Sequence, residues 1–334
     1  LRRMRSLSER LRALVPGLSL LLVLALAARS LAGVVGTSPL LVAVALGALV
    51  GNAVDLPGSV DDGTALHSRF LDAGIVLLGA NVAVNELFDA GVVLVGLVAG
   101  VVLVGLPLGE FLGRWLGLDA TPSSLLAAGA SVCGVSAATT VAGILDARAS
   151  DLTPVVAAIL VFDAVTLAAF PVLGSLLDLS AQQFGVWAGL SMFSTGPVTA
   201  AGFAYGPAAG QWATVTKLAR NALLGLVALF YVLRTTQHAG PARSRLAHLR
   251  AGVPPFILGF LVLAAAASAG LLGPDLVALA DSGSTALFTL AFVGLGLDIR
   301  LDSMRRVGVA PLVALFGHLL VVSALTLAAV LFLL

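Results

Sequence analysis

Residues 185–221 read GVWAGLSMFSTGPVTAAGFAYGPAAGQWATVTKLARN. An apolar run is interrupted by Ser194, Thr195, Gly196 and Pro197, and a second run carries Lys217, Arg220 and Asn221. Proline has no N–H to give a helix and its ring clashes with the preceding turn; a glycine ahead of it loosens the chain further. A helix broken inside lipid survives only where the break is buried in protein or lines a cavity. Ionisable side chains in such runs are costly, and they mark functional sites or buried pairs. The stretch predicts a membrane protein with a polar centre at the break.

The rest of the chain agrees. Of 334 residues 59% are hydrophobic and only 10% charged, where a soluble domain carries about 25% charged residues. Mean hydropathy is +1.09. A net charge of +1 gives no basic face for nucleic acid, and the single cysteine, Cys133, excludes an intramolecular disulfide. The start, LRRMRSLSERLR, has the look of the basic region of a secretory signal. A first transmembrane helix is the favoured reading, because further apolar runs follow.

Apolar runs bounded by turn signals give eleven segments: 17–35, 39–54, 71–86, 89–112, 122–147, 152–175, 184–206, 211–234, 253–272, 282–299 and 307–334. Residues 1–16 form a cytoplasmic N-terminal segment and 17–334 a single transmembrane domain. Lys and Arg concentrate on cytoplasmic loops. Eleven crossings with the N-terminus inside and the C-terminus outside place Arg114, Arg234, Arg243, Arg300, Arg305 and the N-terminal arginines within, and Arg29 and Arg148 without.

Residues 76–92, VLLGANVAVNELFDAGV, match 293–309, VGLGLDIRLDSMRRVGV, so that Gly79 pairs with Gly296, Asn81 with Asp298, Asn85 with Asp302 and Gly91 with Gly308. Seven segments separate the copies, an odd number, so they face opposite ways, as in the inverted repeats of secondary transporters. The halves run roughly 39–175 and 184–334. The expected architecture is all-α and polytopic, with two inverted repeats and two discontinuous helices.

The second discontinuous helix is SSLLAAGASVCGVSAATTVAGIL at 123–145, with Ser131, Cys133, Gly134, Ser136, Thr139 and Thr140 at its middle. Half-helix N-termini expose free N–H groups and partial positive charge, so two of them meeting make an anion site. A pair of kinked helices packed through small residues explains this segment equally well. Thr214, Lys217 and Arg220 or Asn221 share one helical face. Two cations one turn apart need something negative between them: a bound anion, or Asp163 or Asp72 in a buried ion-pair network. Asp163 is also the proton-coupling candidate. His318 reads as a packing residue. There is no P-loop, Rossmann fingerprint or zinc spacing, and no nucleophile–base constellation, so neither an enzyme nor a cofactor or metal site is expected.

At this point the chain resembles the YeiH-type family of membrane proteins regarded as sulfate exporters. The carrying pieces are GIVLLGANVAV (74–84), GASVCGVSAATT (129–140), WAGLSMFSTGPVTAAGFAYG (187–206), ATVTKLAR (213–220) and GLGLDIRLDSMRRVG (294–308). Ser131–Ala137 is close to that family's Ser-Ile-Cys-Gly-x-Ser-Ala, and Lys217–Arg220 matches its Lys-Leu-x-Arg. The resemblance implies an inner-membrane protein similar in plan to bile acid–sodium symporters, exporting a small anion such as sulfate or a sulfonate by alternating access. Homodimerisation is an expectation of that plan. One departure stands out: where the family has Ser-Ile-His-Asp-Thr-Ala-Gln-Val, residues 191–198 read SMFSTGPV. Phe193, Ser194 and Pro197 replace the His, Asp and Gln, which leaves Asp163 as the natural substitute for coupling. Under this reading Ser131, Cys133, Gly134, Ser136, Ser194, Thr195, Gly196, Lys217, Arg220 and Asn221 line the substrate site. The competing expectation is a non-transporting scaffold or sensor, or an anion channel.

Overall fold

The computed structural model describes residues 7–36, 38–81, 84–234, 255–300 and 308–334. The side chain of Asn85, its repeat counterpart Asp302, and the arginines Arg2, Arg3, Arg5, Arg243, Arg245, Arg250, Arg305 and Arg306 lie outside what is described. Every long element is helical: α1 (Leu7–Val35), α2 (Pro39–Ala53), α3 (His67–Leu78), α4 (Val84–Trp115), α5 (Ala120–Ser131), α6 (Val135–Ile144), α7 (Ala149–Leu176), α8 (Ala181–Ser191), α9 (Thr195–Tyr205), α10 (Pro207–Ala222), α11 (Leu224–Arg234), α12 (Pro255–Ser268), α13 (Pro274–Asp298) and α14 (Val309–Leu333). Six stretches of these are long and apolar enough to cross a membrane. The chain is a polytopic membrane protein. Helix α1 runs from Leu7 to Val35, so residues 7–16 and the first apolar run form one continuous helix.

The chain divides into two compact units, residues 1–83 with 259–301, and 84–258 with 302–334. In the first unit, α13 packs against both α2 and α3. A methyl on Gly296 would lie 2.2 Å from Val44 O of α2, and one on Gly79 would lie 2.5 Å from Phe260 O of α12. Gly79 and Gly296 each let one helix backbone touch the next, as small residues do between helices in lipid, whereas a methyl on the matched Gly91 would have no neighbour within 4 Å. A second matched pair is held by side chains: Asn81 donates to Asp281 at 3.3 Å, and Asp298 lies 3.5 Å from His67 Nε2.

The second unit corrects the expected topology. Segments 122–147 and 184–206 do not cross; each is a hairpin that enters and leaves at the same end. Helix α8 runs parallel to α10, since methyls on Gly185 and Gly189 would meet Trp212 and Thr216 in turn. Helix α9 runs antiparallel to α10: Gly202 faces Gly210, and Thr214 donates to Thr199 at 3.2 Å. Tyr205, the last residue of α9, stacks on Phe184 at the start of α8, with centroids 4.0 Å apart, and its hydroxyl donates to Leu179 O. The other hairpin, α5–α6, folds back likewise: a methyl on Gly129 would lie 3.5 Å from Ala138 Cβ. The Arg148 guanidinium donates to Asp151 at 3.1 Å and is near enough to Asp119 to feel its charge. The loop after α6 therefore returns to the loop before α5.

Length explains the difference. A twelve-residue arm such as α5 extends about 18 Å, which reaches only partway through a hydrocarbon core of about 30 Å. Pro197 does not kink a continuous helix. It stands in the first turn of α9, with Ser194 as N-cap, where an N–H has no intrahelical partner to lose. The two hairpins come from opposite ends of the unit, with α7 running between those ends. Methyls on Gly109 and Gly113 of α4 would meet Ala127 and Ser123 of α5, so that outer helix lies directly on a hairpin arm.

Candidate functional site

The hairpin tips, residues 132–134 and 192–194, meet. Gly134 has φ +65° and ψ −128°, a conformation other residues rarely adopt, and a methyl there would lie 2.1 Å from Ser194 Oγ. Both the fold-back and the contact between tips require glycine at this position.

Each tip ends one arm and begins another, so it presents orphan carbonyls on one side and orphan N–H groups on the other. The carbonyl side belongs to Lys217 and Arg220, both fully buried. At the end of α5, Ala128 O and Gly129 O accept from Val132 N and Gly134 N. The next two carbonyls are taken by Arg220: Nε donates to Ser131 O at 2.7 Å, and Nη2 donates to Ala130 O. Arg220 Nη1 donates to Leu190 O at 2.8 Å and Met192 O at 2.9 Å, across on the other tip. Lys217 Nζ donates to Val132 O at 2.9 Å, Met192 O at 3.0 Å and Phe193 O. Two cations thus hold two helix C-termini together, where partial negative charge collects.

The negative partner expected between these cations is therefore backbone. Among the described residues neither Lys217 nor Arg220 makes a salt bridge to a carboxylate, and Asp72 belongs to α3 of the first unit. The expected ion-pair network is replaced by carbonyl dipoles, which sequence does not display.

The N–H side is built differently. Asp163, buried in α7, accepts from Ser194 N at 3.1 Å, so a carboxylate sits at the N-cap of α9. Asn221 Nδ2 donates to Thr195 Oγ1 at 3.0 Å. The Ser194 side chain also lies against the Asp163 carboxylate, and Asn221 Oδ1 is buried without a hydrogen-bond partner, which a native interior rarely tolerates. Ser194 and Thr195 are partly exposed and Ser136, at the start of α6, is exposed.

The structure thus gathers Cys133, Gly134, Ser194, Thr195, Gly196, Lys217, Arg220, Asn221 and Asp163 around the joined tips, and sorts them. Ser136, Ser194, Thr195 and Asn221 surround the N–H side. Lys217, Arg220 and Cys133 are behind it, with Gly196 buried in the first turn of α9. Ser131 Oγ faces away: a methyl on Gly105 of α4 would meet both that oxygen, at 2.9 Å, and His318 Nε2, at 3.1 Å. His318 itself binds Gly105 O at 3.1 Å, as a packing residue would. Thr139 and Thr140 donate to carbonyls of their own helix. Sequence reasoning missed one cluster, in which Glu110 accepts from Arg234 Nη1 with both oxygens (2.6 and 2.7 Å), from Tyr231 at 3.0 Å and from Ser124 at 3.1 Å. Its members lie far apart in sequence, though an acid inside an apolar run is itself a signal. Among the described residues no His, Cys, Asp and Glu group is suited to a metal ion.

The family model described as conserved hypothetical protein 698 matches residues 16–315. The UPF0324 membrane protein of Corynebacterium glutamicum is 32% identical over 296 residues, 88% of this chain and 85% of that protein. That of Nitratidesulfovibrio vulgaris is 29% identical over 95% of this chain and 92% of its own. The UPF0324 inner membrane protein YeiH of Escherichia coli is 29% identical over 92% of this chain and 91% of its own. No solved structure matches. The extent of these matches makes this chain a member of the conserved hypothetical protein 698 family, the UPF0324 membrane proteins that include YeiH.

Proposed function

We propose that the chain is a secondary transporter of a small anion, such as sulfate or a sulfonate, working by alternating access from the joined hairpin tips. The observation that carries the reading is the N–H side of the tips. Two half-helix N-termini from opposite ends meet there, beside partly exposed Ser194 and Thr195. Such N-termini favour anions. Among the described residues two buried cations stand against one buried carboxylate, Asp163, which leaves a positive surplus behind the site. Lys217 and Arg220 act on the substrate through this field, since their hydrogen bonds go to carbonyls.

Asp163 holds the Ser194 N–H that an incoming anion would use. A proton on Asp163 removes its negative charge and weakens its hold on that N–H, so anion binding is linked to proton binding and strengthens as pH falls; Lys217 is the charged neighbour that acts on this carboxylate. The name of the E. coli relative, an inner membrane protein, supports a cell-membrane location. With Arg148 on the same side as Arg114, the positive bias supports a cytoplasmic position for that end. Export follows from the family resemblance alone.

The test is anion counterflow in proteoliposomes, using labelled sulfate, sulfite, thiosulfate, a sulfonate and small carboxylates. Saturable exchange is expected for at least one anion. Ser194→Ala should weaken its apparent affinity roughly tenfold, and Asp163→Asn should flatten its pH dependence. Absence of exchange across the panel, in protein that remains folded, returns the chain to the scaffold reading.

A further inference from the structure

The Lys217 ammonium sits in a cage of three backbone carbonyls, Val132 O, Met192 O and Phe193 O, contributed by the two unwound tips. Its three donors match three acceptors. No side-chain carboxylate among the described residues is within salt-bridge distance, and the group is fully buried. Unwound carbonyls at half-helix ends are also the chemistry that holds coupling cations in transporters built around broken helices, and rings of carbonyls replace a monovalent ion's hydration shell in channels. Here the position is filled by the chain itself.

We propose that Lys217 is a built-in cation: its ammonium closes the carbonyl cage joining the two hairpin tips, so the protein takes up no metal cation there during its cycle. The consequence for transport rests on the transporter reading above; the cage does not. Arg220 caps α5 and α8 and shares Met192 O with Lys217, but its planar fork spreads over carbonyls along two helix ends, and only Lys217 reaches Val132 O and Phe193 O. Removing only the Lys217 side chain beyond Cβ leaves three converging oxygens and space for an ion of ammonium-like size.

The experiment uses the full chain in detergent, with thermal unfolding followed at constant ionic strength in the chloride salts of sodium, potassium, ammonium and choline. Wild type should melt at one temperature in all four. Lys217→Ala should melt earlier in choline and regain stability saturably with at least one of the three small ions, because an ion that binds only the folded state raises its midpoint. Lys217→Met fills the space without charge, and should melt earlier with no ion recovering it. Saturable stabilisation of wild type by sodium or potassium over choline would overturn the proposal, as would a folded Lys217→Ala variant indifferent to every ion. Should Lys217→Ala not fold in any salt, the wild-type series decides. Anion exchange in liposomes free of sodium and potassium should proceed at the wild-type rate. Loss of exchange only when those ions are withdrawn would also refute the built-in cation, whereas no exchange under any condition would count against the transporter reading alone.

Discussion

Gly134→Ala is the sharpest test of the joined tips. The substitution has two separable costs. The backbone at φ +65° and ψ −128° is a conformation that costs a residue with a Cβ about 1–3 kcal/mol. The new methyl would also lie 2.1 Å from Ser194 Oγ, 3.2 Å from Ser194 Cβ and 3.4 Å from Ile159 Cγ2. The hydroxyl can rotate away, but Ser194 Cβ belongs to the opposite tip and must move with its backbone, an overpacking of about 1–3 kcal/mol. The expected total is about 2–6 kcal/mol. The two parts are separated by a double-mutant cycle with Ser194→Gly, a change that is mild at an N-cap. That second substitution removes both the Oγ and the Cβ contacts and leaves the backbone cost. The double variant should therefore recover about half of the loss, with a coupling of roughly 1–3 kcal/mol. Thermal unfolding of purified protein, with detergent and lipid held constant, reads all four corners. If Gly134→Ala melts with wild type, or if its loss is the same in the wild-type and Ser194→Gly backgrounds, the tips do not meet and the proposed site is wrong.

Three further outcomes follow from the geometry. On a Cys133→Ser background, Arg148→Cys should react with an impermeant thiol reagent from the same side as Arg114→Cys, and Asp178→Cys from the other; eleven crossings require the reverse. Native Cys133, 7% exposed, should react at least about tenfold more slowly than Ser136→Cys in the Cys133→Ser background, because the thiol is shut behind the tips while Ser136 is open. Glu110→Ala should lower stability by about 1–3 kcal/mol, more than Arg234→Ala, since it also strips the partner from the Ser124 hydroxyl, whereas Arg234 is half exposed and screened by solvent. Equal melting shifts for the two would remove Glu110 from the centre of that cluster.

Much of this was legible in the residues. Runs of apolar side chains fix a membrane protein because lipid admits few charges and requires internally satisfied backbone. Gly79 and Gly296 stood out as matched glycines, and each sits where one helix backbone approaches another. The tip residues stood out because Gly134 and Ser194–Pro197 interrupt otherwise unbroken helical runs.

Whether such an interrupted run crosses or turns back was not legible. Two arms of ten to twelve residues with a short turn have the length and hydropathy of one crossing. Hydropathy carries no information about chain direction; only the contacts of α6 with α5 and of α9 with α10 supply it. The partners of Lys217 and Arg220 were hidden for a related reason. Every residue carries a carbonyl, so the oxygens left free at two helix ends have no letter in the sequence. They become a binding site for cations only when the fold brings those ends together.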